Sequence, residues 1–207
     1  HGIGPFSIED GSVKEPVELT YTDVFSNEMV ALGEKNKKIV CITAAMAKGT
    51  GLDAFSRHYP ERFFDVGIAE EHAVTFAGGL AKGGLQRSID QIIHDVALPN
   101  FHVIFMLDRS GAVPNDGETH QGIFDIALMR SIPNLTILSP ASAFELKTML
   151  DAAIDMKGPV VIRYPKLVCS EELDCFRAAL DLGKGILIKA SDLKSDSKSK
   201  STSKKSS

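Results

Sequence analysis

The sequence is short of cysteine, of long apolar runs and of charge of one sign. Its three cysteines, Cys41, Cys169 and Cys175, show no CxxC spacing. They give no disulfide or metal framework, and they suit a reducing compartment as buried or incidental thiols. No uninterrupted apolar stretch approaches the roughly 20 residues of a membrane-spanning helix, and no signal peptide is legible. No membrane partner is therefore expected. A formal net charge of −4 over 207 residues argues against a nucleic-acid partner. No cluster of His, Cys or carboxylates has metal-ligand spacing, so no metal site is expected within the chain. Gly78, Gly79, Gly83 and Gly84 lie inside and after a helical stretch rather than before it, which excludes a dinucleotide fingerprint.

What remains is an ordinary globular composition, 43% apolar, in a chain long enough to bury a sizeable core. A chain that begins at His1 rather than Met is expected to be a piece of something longer. From about Ser191 to Ser207 the residues are almost only Ser, Lys, Asp and Thr. That composition predicts a disordered, solvated tail, although a basic tail could also touch anions.

Between these ends, helical and strand patterns alternate. Tyr21 to Glu34 carries Val24, Phe25, Met29, Val30 and Leu32 at helical spacing. Lys38 to Thr43 is a short apolar run with the character of a buried strand. A short helix over Leu52 to His58 stops ahead of Pro60. Further strands are expected at Arg62 to Val66, His102 to Leu107, Leu135 to Leu138 and Pro159 to Arg163. Further helices are expected at Ala69 to Lys82, Gln86 to Ala97 and Ser142 to Asp155. Strands alternating with helices predict an α/β fold built on a doubly wound parallel sheet. Ligands of such sheets bind at the carboxyl ends of the strands. The polar residues of greatest interest are therefore Asp65 through Glu71, Asp108 through Gln121 and Arg163 through Lys166.

Taken singly, these residues have plain structural explanations. Glu70 and Glu71 open a helix, where acidic side chains contribute about 0.3–1 kcal/mol against the helix dipole. Arginines, a turn Asp in Pro-Asn-Asp-Gly and a loop His are usually just exposed. His58, His72 and His94 read as structural or surface residues. Taken together, the segments carry a resemblance. FFDVGIAEEHAVTFAGG (Phe63 to Gly79), QRSIDQIIHDVAL (Gln86 to Leu98), LDRSGAVPNDGETHQGIFD (Leu107 to Asp125) and GPVVIRYPK (Gly158 to Lys166) resemble, in order, the transketolase-like pyrimidine-binding domain of 1-deoxy-D-xylulose-5-phosphate synthases. HGIGPFSIEDG (His1 to Gly11) resembles the linker ahead of that domain. The implied organisation is a linker over 1–18, a thiamine diphosphate pyrimidine-binding domain over 19–189 and a Ser/Lys-rich tail over 190–207.

The resemblance implies a role for each matched residue. Glu70 would hydrogen-bond ring nitrogen N1′ of thiamine diphosphate, so that a ylide forms and attacks pyruvate. Carbon dioxide leaves, and glyceraldehyde 3-phosphate is the acceptor; the product feeds isoprenoid, thiamine and pyridoxal synthesis. Arg109 and Arg163 would bind the acceptor's phosphate, for which a bidentate guanidinium is suited. Arg87 would line the pocket near the cofactor. Asp116 and His120 would contact substrate hydroxyls and assist proton transfer, and His1 would lie near the cofactor. Mg²⁺ and the diphosphate would be held by a separate diphosphate-binding domain of the parent protein. A homodimer is implied for the full enzyme, in the cytoplasm, or in a plastid if the source is a plant or alga. Transketolases and 2-oxo-acid dehydrogenase beta subunits share the fold and remain alternatives. A flavodoxin-like nucleotide-binding module fits poorly, since no phosphate loop opens a helix.

The resemblance also exposes a gap. Family members run through a strand and a Tyr-Ser-(Ser/Thr)-Phe motif where this chain passes straight from Gly83-Gly84 to Leu85-Gln86-Arg87. About eleven residues are missing by that comparison, and with them the aromatic expected to stack on the pyrimidine ring. One internal strand of the sheet is therefore expected to be lacking. A central strand buries about five apolar side chains, on the order of 10 kcal/mol, comparable to the whole stability of a domain. The expectation is a fragment inactive alone, or else a non-catalytic remnant of the same fold.

Overall fold

The computed structural model describes residues 7–10, 18–78, 89–113, 121–169, 173, 177 and 180–184. The expected tail, the linker histidine and the junction after Gly84 lie outside these residues.

Helix α1 spans Tyr21–Lys35 and opens on a capping box. Thr20 Oγ1 accepts from the Asp23 amide at 3.2 Å, and the Asp23 carboxylate accepts from the Thr20 amide at 3.0 Å. Strand β1 (Cys41–Thr43), helix α2 (Asp53–His58) and strand β2 (Phe63–Asp65) follow. Helix α3 spans Glu70–Gly78. Helix α4 begins as Ile89–Gln91 and continues as a π-helical turn over Ile92–Ala97. Strand β3 (Ile104–Leu107), the short helix α5 (Asp125–Met129), strand β4 (Thr136–Leu138), helix α6 (Ala143–Asp155) and strand β5 (Val160–Arg163) complete the order. Ser142 caps α6, its hydroxyl accepting from the Glu145 amide at 3.2 Å.

Among the described residues, every pairing between strands is parallel. β1 pairs with β2, Cys41 opposite Phe63. β5 lies between β3 and β4, with Ile104 opposite Val160 on one side and Thr136 opposite Val160 on the other. Each expected strand is present, shorter by one to three residues than the apolar runs suggested. The pairings divide them into two parallel sheets among the described residues, where a single sheet was expected.

Strand alternation sends neighbouring side chains to opposite faces, and helices cover both. Met106, Leu138 and Ile162 point into a cluster with Phe25, Phe55 and Leu146, from α1, α2 and α6. Phe105 and Val161 point the other way, into a cluster with Val74, Val96 and Met129, contributed by α3, the π-helical turn and α5. This is a doubly wound arrangement. β1 shares it, with Cys41 in the first cluster and Ile42 packed on Ala73 of α3. Helix α3 therefore touches both sheets, and it carries Glu70 at its start.

Candidate functional site

The loops leaving the strands at their carboxyl ends are pinned by local contacts. After β1 and β2, the Asp65 carboxylate accepts from the Ala45 amide at 2.8 Å and from the Gly67 amide at 3.0 Å. Ala45 sits at φ +56° and Gly67 at φ +70°, both left-handed. Ala45 has a side chain there, an arrangement that costs about 1–2 kcal/mol. One carboxylate thus ties the turn after β1 to the turn that leads from β2 into α3.

Glu70 is the first residue of α3, four residues past the start of that turn. Its side chain is half-buried, and it makes no hydrogen bond or ion pair with any described residue. Its neighbours behave as surface residues. His72 is exposed and stacks on Phe76, ring centroids 5.8 Å apart. His58 and His94 are also exposed; His94 lies 2.7 Å from Asp95. The Asp95 carboxyl is held below its ordinary range by hydrogen bonds from His94 and Thr75.

Arg109 and Arg163 come from adjacent strands. Leu107, the last residue of β3, lies opposite Arg163, the last residue of β5. Beyond the register, the Tyr164 amide donates to the Leu107 carbonyl at 2.8 Å, and the Ser110 amide donates to the Tyr164 carbonyl at 3.1 Å. These bonds carry the pairing past the strand ends and set both arginines on one edge. Arg109 has φ +58°, and its Nη1 donates to Asp108 at 2.7 Å.

The stem of the following loop is closed twice. Gly111 and Gly122 exchange amide–carbonyl bonds of 3.0 and 2.9 Å, and the Gln121 side chain brackets Val113 with bonds of 2.6 and 3.1 Å. A Cβ on Gly122 would fall 2.4 Å from the Arg109 carbonyl oxygen, so only glycine fits. Asp116 and His120 fall within 114–120, between the two sides of this stem in sequence and outside the described residues. His1 and Arg87 are also outside them. The structure thus brings Arg109 and Arg163 together. It places Glu70 at the carboxyl end of β2, on the helix that packs against both sheets.

Arg163 is more constrained than its sequence position suggests. Its Nε donates to Asp125 Oδ2 at 2.8 Å, its Nη2 to Oδ1 at 3.3 Å, and its Nη1 to Ser139 Oγ at 3.1 Å. Neither Asp125 nor Ser139 was singled out from the sequence. Asp125 ends the LDRSGAVPNDGETHQGIFD segment, but nothing in that segment ties it to Arg163. Among the described residues, no group of three or more His, Cys, Asp or Glu could hold a metal ion, and no helix is long and apolar enough to cross a membrane.

The family description matching residues 17–170 is the pyrimidine-binding domain of transketolase. The chain belongs to this transketolase pyrimidine-binding family. Within it, the chain is 52% identical over 199 residues to a 1-deoxy-D-xylulose-5-phosphate synthase of Treponema pallidum (strain Nichols), covering 91% of this chain and 32% of that protein. It is 48% identical over 209 residues to the synthase of Desulfotalea psychrophila, covering 93% and 32%. The chain thus spans about a third of the length of these relatives. In the first comparison, 91% of 207 residues is about 188, some eleven fewer than the 199 aligned. In the second, 93% of 207 is about 193, some sixteen fewer than the 209 aligned, so both alignments carry gaps on this chain's side.

Among solved structures of the family, the chain is 28% identical to a split-gene transketolase described as an inactive beta4 tetramer. The TM-score is 0.60, with 74% of this chain and 53% of that chain covered. Transketolase from Leishmania mexicana aligns at TM-score 0.65 over 75% of this chain and 26% of its own; at 16% identity it shows the shared fold alone.

Proposed function

We propose that this chain is the pyrimidine-binding part of a 1-deoxy-D-xylulose-5-phosphate synthase, inactive by itself. The observation that carries the reading is the Glu70 carboxyl. It opens α3 at the carboxyl end of a parallel strand, half-buried and without a partner among the described residues. The wider support is the roughly 50% identity to synthases over nine-tenths of the chain.

A carboxyl so placed fits the aminopyrimidine of thiamine diphosphate, a group that would bring a ring nitrogen to hydrogen-bond and an acidic thiazolium C–H as the source of a carbon nucleophile. Glu70 would hold ring nitrogen N1′ and share a proton with it, as a general acid–base must. Arg109 and Arg163 would hold the phosphate of glyceraldehyde 3-phosphate at the neighbouring strand ends. Asp116 and His120 would serve the acceptor's hydroxyls and the proton transfers, Arg87 the pocket near the cofactor, and His1 its approach. Pyruvate would be the donor, losing carbon dioxide. Mg²⁺ and the diphosphate would be held by a diphosphate-binding domain of the parent protein, itself a homodimer in the cytoplasm or a plastid.

Inactivity alone follows from anchoring. Pyrimidine contacts without the diphosphate's metal leave the ring loosely held, and a displacement of about 1 Å can cost about a hundredfold in rate. The similar solved chain described as an inactive beta4 tetramer supports this reading. The alignment shortfall also favours a second reading, a non-catalytic remnant of the same fold. Carbon dioxide release from pyruvate and glyceraldehyde 3-phosphate separates the two. The chain with excess thiamine diphosphate and Mg²⁺ should give none. Supplying the diphosphate-binding domain and the missing strand should give turnover that Glu70→Ala abolishes. Turnover by the chain alone that vanishes in Glu70→Ala would refute inactivity. Turnover of the reconstituted Glu70→Ala protein would remove Glu70 from its role.

A further inference from the structure

Arg163 reaches the carboxyl edge of β5 with its side chain already engaged. The guanidinium is 15% exposed and the Asp125 carboxylate 9%. The pairing is bidentate, through Nε at 2.8 Å and Nη2 at 3.3 Å. Asp125 is itself fixed, because its Oδ1 also accepts from the Ile126 amide at 2.8 Å. Ser139, just past the end of β4, takes a hydrogen from Nη1 at 3.1 Å. Two elements other than its own strand therefore set the plane of this guanidinium. Arginine has five N–H donors in a rigid fork. Asp125 occupies the Nε–Nη2 edge and Ser139 one hydrogen of Nη1, which leaves one hydrogen on each terminal nitrogen.

We propose that Asp125, assisted by Ser139, is a positioning residue that aims the terminal nitrogens of Arg163 at the phosphate of the acceptor substrate. This rests on the reading of Arg163 as a phosphate-binding residue. The physical reason is entropic as much as electrostatic. An arginine left mobile must be ordered when the phosphate arrives, whereas one clamped by a buried carboxylate is ordered beforehand. Asp125 also makes a prediction that a bystander would not. As a mere competitor for Arg163, its negative charge would weaken anion binding, and neutralising it would tighten binding. As a positioner, neutralising it must weaken binding despite the more favourable net charge.

The test is titration of the full 207-residue chain with glyceraldehyde 3-phosphate, and with inorganic phosphate as a second probe, by calorimetry and by the Arg163 Nε–H resonance. Asp125→Asn should weaken glyceraldehyde 3-phosphate binding about tenfold and speed exchange of the Nε hydrogen, and Asp125→Glu should recover part of the loss. Equal or tighter binding by folded Asp125→Asn overturns the proposal while leaving Arg163 in place. If Asp125→Asn does not fold, Ser139→Ala decides at an exposed position. A weakening of about threefold supports the proposal, and unchanged affinity overturns it. Binding that is absent in the wild-type chain, or unaltered in Arg163→Gln, removes the phosphate role of Arg163 and the proposal with it.

Discussion

The two sheets of this protein are built to different standards. In the three-stranded sheet the central strand is buried along its length, with Val160, Val161 and Ile162 fully inaccessible. Both faces of that sheet are covered by helices. In the two-stranded sheet, β1 is buried, but β2 is exposed at Phe64 and Asp65. Phe64, 38% exposed, packs edge-on against Phe76, ring centroids 5.5 Å apart. The arginine edge therefore stands on a tightly packed platform, and the turn leading to Glu70 stands on a thin one. Holding Glu70 falls to α3, through Val74 on one side and Ala73 on the other.

The contrast has a direct test in paired truncations. Ile162→Ala removes a fully buried side chain from the central strand and should cost about 3–4 kcal/mol, transfer and cavity terms together. Phe64→Ala removes a larger but exposed ring and should cost about 1 kcal/mol. Denaturant unfolding of both variants measures the difference. Equal costs would mean that β2 is held as firmly as β5, and the distinction between the platforms would fall.

An effect smaller than that of Ile162→Ala is expected where β2 meets its turn. Asp65→Ala removes two charge-assisted hydrogen bonds, from the Ala45 and Gly67 amides, and should cost about 1–2 kcal/mol at this exposed position. It also removes what holds Ala45 in its left-handed conformation. Exchange of those two amides should accelerate while the amides of β5 stay protected. Acceleration in β5 as well would show that the two sheets open as one unit.

Much of the fold was legible because it rests on local patterns. The five expected strands are each present, and those of the three-stranded sheet, covered on both faces, are apolar along most of their length. The strands are shorter than the runs because pairing ends where the chain turns away, as at Lys38 to Val40 ahead of β1. The division into two sheets was not stated from the sequence, since which strands pair is set by contacts distant along the chain. The π-helical turn over Ile92–Ala97 was not legible, because its apolar residues fit an ordinary helix equally well. Glu70 and Arg109 could be picked out by their positions past strand ends, and Arg163 as the last residue of an expected strand. Asp125, Ser139 and Asp65 could not. Each acts through a partner distant in sequence, 38, 24 and 20 residues away, and a single sequence carries no sign of such pairings.

The smallest predicted effect lies at the rim of the better-packed sheet. Tyr164 follows Arg163, is fully buried, and lies against Phe25 with ring centroids 6.0 Å apart. Its hydroxyl has no hydrogen-bond partner among the described residues. Burial pushes the phenol up, with the Asp108 carboxylate adding to the shift and Arg109 opposing it, so the group stays protonated and neutral across the ordinary pH range. A buried, neutral and unpaired hydroxyl costs its desolvation and returns nothing, about 1 kcal/mol or more. Tyr164→Phe keeps the ring, its packing on Phe25 and the backbone bonds to Leu107 and Ser110, and deletes only that oxygen. The variant should be unchanged or more stable by up to about 1 kcal/mol in denaturant unfolding. The arginine edge should be undisturbed, so phosphate affinity should match that of the parent chain. A loss of 1 kcal/mol or more, or weaker phosphate binding, would show that the hydroxyl supports the Asp108–Arg109 pair, and the packed platform would then extend through this oxygen to the edge itself.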